Sequence, residues 1–108
     1  MAARAGWSMS ELPELNPVIH GKLRLALLSL LTTVEEAEFT WLRARTGSTD
    51  GNLGAQLAKL EEAGYVSVEK KFVKRKPQTL YRMTEEGRRA LAEYVQALKQ
   101  LLGTAIGT

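Results

Sequence analysis

The chain predicts an α+β, mainly helical domain in the order helix, helix, helix, strand, strand, helix. Apolar residues recur at helical spacing over residues 17–34 and 85–102. Two shorter helical segments, 41–46 and 50–63, are separated by about three residues, "GST", the connection length of a helix-turn-helix. Two alternating segments, "YVSVEKKF" and "QTLYRMT", flank a cationic connection. At 108 residues this is one domain, able to bury an ordinary core without covalent staples. Residues 1–15 read as a flexible leader with Trp7 its one bulky side chain, 16–102 as the folded domain, and 103–108 as a frayed tail.

Each element has its own signals. Asn16 is a good N-cap and Pro17 suits the first position of the first helix. Ile19, Leu23, Ala26, Leu27, Leu30, Leu31 and Val34 share one face, with Leu25 and Leu28 roughly opposite. A helix apolar on two faces must bury both, as a central helix or in a subunit contact. Gly21 weakens that helix and marks a possible close approach of another backbone. Thr40 reads as the cap of the second helix and Gly47 as its stop; Thr49 caps the third, with Asp50 in its first turn and Gly64 as a left-handed stop. Leu53, Leu57 and Leu60 form the third helix's buried stripe. Val66, Val68 and Phe72 alternate in the first strand and Thr79, Tyr81 and Met83 in the second, with Pro77 placed at the tip or an edge. Thr84 caps the last helix, whose stripe is Leu91, Tyr94, Val95, Leu98, Leu101 and Leu102.

Composition excludes several classes. There is no cysteine, hence no disulfide, thiolate metal site or cysteine nucleophile, which suits a reducing cytoplasm. The first residues lack the apolar segment of a signal peptide, and no apolar run is long enough to cross a bilayer. No glycine-rich phosphate loop and no Ser/His/Asp cluster is present, so an enzyme is not expected. His20 stands alone, more simply a surface or subunit-contact histidine than a catalyst; no cofactor or metal is implied.

The charge distribution is the strongest functional signal. Glu69 to Lys76 holds five cations and one anion, a local +4 in a chain of net charge +3. Solvated charge runs are usually mixed in sign, and this one is not. Lys70, Lys71, Lys74, Arg75 and Lys76 would displace condensed counterions from a duplex, and Arg75 could enter a narrow minor groove. Arg82, Arg88 and Arg89 extend the patch, unless Arg88 and Arg89 pair with Glu85, Glu86 or Glu93, the preferred reading. On the third helix, Asn52, Ala55, Gln56 and Lys59 share the outward arc at 100° per residue. An ordinary solvated face carries such residues too, but amides can also bond adenine edges bidentately in a major groove.

The run "FTWLRARTGSTDGNLGAQLAKLEEAGYVSVEKKFVKRKPQTLYRMTEEGRRAL", above all "KLEEAGYV" with "RKPQTLYRMTEEGR", resembles the small prokaryotic winged helix-turn-helix transcriptional regulators of the MarR and ArsR groups. The resemblance covers roughly residues 15–100. It implies a sequence-specific, cytoplasmic regulator of double-stranded DNA, a repressor by preference. It implies a recognition helix in the major groove, bringing Thr49, Asp50, Asn52, Ala55, Gln56 and Lys59 to the DNA. It implies a wing that brings Lys71, Lys74, Arg75 and Lys76 to the backbone or minor groove. It also implies a homodimer built by the terminal helices, with Ile19, Leu23, Leu25, Leu28, Tyr94, Leu98, Leu101 and Leu102 at the contact. Gly54 and Ala55 stand where relatives carry serine and a larger residue, Ser48 replaces a leucine, and Trp41 replaces a small or polar residue. Trp41 is then buried, set against a sugar, or part of an effector pocket, and any small-molecule effector has to sit between helices or at the dimer contact. The shortened arms at Gly54 and Ala55 keep a second reading open, a winged-helix protein-interaction module with no DNA role.

Overall fold

The computed structural model describes residues 12–105, the side chains of 104 and 105 excepted, so Trp7 and most of the expected leader lie outside it. The elements are α1 (Lys22–Leu31), β1 (Ala37–Glu38), α2 (Phe39–Thr46), α3 (Asp50–Glu62), β2 (Val66–Val73), β3 (Lys76–Met83) and α4 (Glu85–Ala105). The strands form an antiparallel sheet of order β1-β3-β2. Leucines of the first three helices, Val66 and Tyr81 of the sheet, and Ala90 and Tyr94 of α4 meet in one core.

The first helix starts later than its cap signal suggests. Asn16 does cap, but only a single turn: its side chain accepts from the Val18 amide at 2.9 Å and its carbonyl from Ile19 and His20. Gly21 is then extended, at φ −161°, and the helix restarts at Lys22. Ile19 and Leu28, expected at a subunit contact, are 0% exposed, and Tyr94 is 4% exposed. All three are consumed by this protomer's own core and are unavailable to a partner. Leu23 and Leu25 remain partly exposed at its edge.

β1 is not visible in the sequence. It is two residues long, pairing Ala37 with Tyr81 and Glu38 with Leu80, and two residues carry no period. Because the chain leaves the sheet at Glu38, α2 begins at Phe39; Glu38, not Thr40, is its N-cap residue, and no side chain caps it. Gly47 ends α2, as expected, and does so in the left-handed region at φ 66°. Thr49 caps α3, its hydroxyl oxygen accepting from the Asn52 amide at 3.2 Å. Leu53, Leu57 and Leu60 are buried along α3. Gly64, at φ 84°, turns the chain out, and the Tyr65 amide closes back on the Leu60 carbonyl at 2.9 Å. On β3, burial foremost and then Glu61 raise the Tyr81 phenol above its ordinary value.

The hairpin is longer and its bend tighter than expected. Lys74 and Arg75 alone join β2 to β3, at φ 52° and 68°. Pro77 therefore does not make the bend; it lies in β3 opposite Phe72. A two-residue loop makes Val73–Lys76 the hydrogen-bonded pair, so Phe72–Pro77 is a non-bonded pair and the missing proline N–H faces away from β2. β1 reaches only Leu80 and Tyr81, so that side of Pro77 has no strand to satisfy.

α4 is capped by Thr84, whose hydroxyl accepts from the Gly87 amide at 2.9 Å and donates to the Gly64 carbonyl at 2.6 Å. The helix continues through Gly103, expected to fray, to Ala105. A Cβ at Gly87 would collide with the Tyr65 carbonyl oxygen and lie 3.0 Å from the Met83 sulfur. Gly54, by contrast, faces open space within 4 Å. Gly87→Ala is therefore expected to cost about 2–3 kcal/mol, and Gly54→Ala to stabilise by roughly 0.5–1 kcal/mol. Thermal unfolding of the two variants checks this. Similar melting shifts of one sign would contradict the close approach of α4 to the Gly64–Tyr65 turn.

Candidate nucleic-acid interface

On α3, Asn52, Ala55 and Lys59 are exposed and Gln56 is half-buried, so the outward arc forms as the periodicity required. Its polar atoms are not all free. The Arg24 Nη1 donates to Gln56 Oε1 at 2.5 Å, and Gln56 Nε2 donates to Asn52 Oδ1 at 3.2 Å. Arg24 is in turn held by its Nε bond to the Val18 carbonyl and an Nη2 bond to the Pro17 carbonyl at 3.4 Å. At the start of α3, Asp50 is paired with Arg43 at 2.7 Å, which neutralises the one carboxylate in that turn. The Thr49 hydroxyl oxygen is engaged in the cap.

On the hairpin, Lys70, Lys71, Lys74, Arg75 and Lys76 are all exposed, and none forms a salt bridge among the described residues. The segment's one anion, Glu69, is drawn back to the hairpin base by Arg82 at 3.0 Å, while Glu36 holds the same guanidinium at 2.5 Å. Glu69, with Glu36 beside it, holds Arg82 more firmly protonated than usual. Arg82 is thus neutralised at the base and does not extend the cationic patch, and the distal hairpin is left purely cationic. The helical pairing preferred for Arg88 and Arg89 does not form among the described residues. Side chains alternate across the sheet. The face on which Val66 and Val68 meet the helical core therefore continues outward as Lys70 and Phe72, with Lys71 on the other face. Lys74 and Arg75 occupy the turn between the two strands.

A helix-turn-helix followed by a cationic antiparallel hairpin matches the family described as "Winged helix DNA-binding domain" over residues 23–102. The chain belongs to the winged helix DNA-binding domain family. An uncharacterized protein of Methanocaldococcus jannaschii is similar at 36% identity over 84 residues, 78% of this chain and 91% of that protein. The solved transcriptional regulator homologue of Pyrococcus horikoshii OT3 is similar at 25% identity and a TM-score of 0.74, over 79% of this chain and 84% of that one. A structure from Enterococcus faecalis V583, assigned to the MarR family of transcriptional regulators, is 30% identical with a TM-score of 0.64, over 83% and 80% of the two chains. In winged helix terms α2 and α3 are the helix-turn-helix, α3 its recognition helix, and β2–β3 the wing.

Sequence reasoning missed Arg24, Arg43 and Phe72. Arg24 had a signal: a cation inside the apolar run "LRLALL" must find a partner or reach water. Arg43 had none, since its partner Asp50 lies across the helix-turn-helix bend. Alternation places Phe72 on the strand's inward face with Val66 and Val68, yet so far out along the wing it is 75% exposed. Trp41 is half-buried against the core, with the Arg45 guanidinium 4.8 Å from its ring centre. An open groove of about 900 Å³ runs between α1 and the α2–α3 bend, with Leu23, Ala26 and Leu30 on one wall and Arg45, Ser48 and Asn52 on the other.

Proposed function

We propose that this protein is a dimeric transcriptional repressor that reads double-stranded DNA, with α3 in the major groove and the wing on the flanking backbone or minor groove. One observation carries this reading: the wing presents five exposed cations with no carboxylate paired to them among the described residues, while its one anion is held at the base by Arg82. A surface of that kind is self-repelling and has its natural complement in a polyanion.

Dimerisation rests on α4. Its first half is tied to the body through Gly87, Ala90 and Tyr94. Its second half carries an apolar stripe, with Val95 39% and Leu102 51% exposed and Leu98 and Leu101 partly so. A second copy, laying the same stripe against it, buries both and places two recognition helices on a two-fold axis, able to reach successive major grooves about 34 Å apart. Val95→Asp combined with Leu102→Asp is expected to give a folded monomer by sedimentation and to weaken duplex binding at least ten-fold, about 1.4 kcal/mol. Wild-type protein that sediments as a monomer at micromolar concentration would remove the dimer. Wild-type protein that retains no duplex at low salt would remove the DNA reading and favour the protein-interaction module.

A further inference from the structure

The Arg24–Gln56–Asn52 chain has a direction, and chemistry fixes it. A guanidinium only donates hydrogen bonds. The atom of Gln56 that faces Arg24, at 2.5 Å, is therefore its carbonyl oxygen, and its NH2 group points onward. The atom of Asn52 that faces that NH2, at 3.2 Å, must likewise be its oxygen. The free end of the chain is then the Asn52 NH2 group, on the exposed arc of the recognition helix. Each amide oxygen already accepts one bond, whereas both Asn52 N–H donors are uncommitted among the described residues, so the bidentate adenine contact, which needs an acceptor and a donor from the same side chain, is disfavoured relative to donation from Asn52.

We propose that Arg24 is a specificity-determining positioning residue: it polarises the two amides so that Asn52 meets the major groove chiefly as a donor, which favours guanine. Guanine is the base whose major-groove edge offers two acceptors, N7 and O6, and no donor. Arg24 is positioned for this role from behind. Two carbonyls of the turn before α1 hold its guanidinium, and the absence of a side chain at Gly21 makes room for it, since a Cβ there would lie 2.6 Å from Nη2. This explains Gly21 by the approach of a side chain rather than of another backbone. The inference rests on the proposed placement of α3 in the major groove.

Selection of bound sequences from random duplexes tests it, using wild-type protein, Arg24→Glu and Arg24→Met. Wild-type protein is expected to enrich guanine at the position read by Asn52 by roughly ten-fold over adenine, within the range of a good base contact. Arg24→Glu replaces a donor with an acceptor and reverses the chain: Gln56 turns its NH2 inward, and Asn52 presents its oxygen to the groove. Preference should then move to the bases with an amino group there, cytosine and adenine. Arg24→Met, which keeps much of the volume and removes the donors, should flatten the guanine preference while leaving the fold intact, and it carries the test should Arg24→Glu not fold. A merely structural arginine would lower affinity without changing the preferred base. An unchanged base profile in the variants overturns the role of Arg24 alone; wild-type protein that binds no duplex overturns the DNA reading beneath it.

Discussion

Alanine at Lys74, Arg75 and Lys76 is expected to weaken binding to every duplex, specific or not, and to flatten its salt dependence. Every phosphate that is no longer neutralised takes about 0.9 from the slope of log affinity against log salt, so three phosphates take about 2.7 per wing. Between 50 and 200 mM salt the wild-type wing would then lose roughly forty-fold more affinity than the variant. Asn52, Gln56 and Lys59 stay in place, so the preferred sequence should survive even as affinity falls. Fluorescence anisotropy at four or five salt concentrations reads both quantities. A variant with wild-type slope would mean that the wing does not touch phosphate.

The second large effect comes from the same turn and runs in two directions. Lys74 and Arg75 both adopt left-handed backbone conformations, at φ 52° and 68°. Residues with a side chain pay for that geometry at about 1–2 kcal/mol each, which is why Asn-Gly dominates two-residue hairpin turns. The wing thus keeps two cations where local energetics favour asparagine and glycine, the kind of outlier that accompanies function. Replacing Lys74 by Asn together with Arg75 by Gly is expected to stabilise the fold by on the order of 2 kcal/mol, a rise of roughly 10 °C in melting temperature. The same variant should lose about 1.8 from the salt slope of each wing. Opposite signs for stability and binding are the signature. A variant that melts no later than wild-type would remove the strain from the turn.

Much of this was legible in the sequence, for physical reasons that differ by element. The α3 cap at Thr49, the helix stops at Gly47 and Gly64, and the α4 cap at Thr84 all formed, because each depends on a side chain or a φ value that one residue type supplies. The leucine stripe of α3 followed from period alone. Where contacts between distant segments decide the outcome, the sequence was silent. β1 exists only because Ala37 and Glu38 meet β3, and the start of α2 moved with it. The first helix lost its early residues because the chain is extended at Gly21 and the helix restarts at Lys22. Leu28 looked like a second apolar face, yet this protomer's own core covers it completely. In the interface, the cations and the amide arc were legible as charge and spacing. The withdrawal of Glu69 by Arg82 and the polarity imposed by Arg24 were not, since both partners lie far away in the chain.

Methylation protection on a selected duplex tests the shared face of α3 and the wing most directly, because it reports guanine N7 in the major groove and adenine N3 in the minor groove together. The expected footprint is two half-sites about 34 Å apart, each with protected guanine N7 and, beside it, protected adenine N3 that is lost when Lys74, Arg75 and Lys76 become alanine. Protection confined to one groove, or minor-groove protection that survives the alanine substitutions, would contradict a wing and a recognition helix acting on one stretch of DNA.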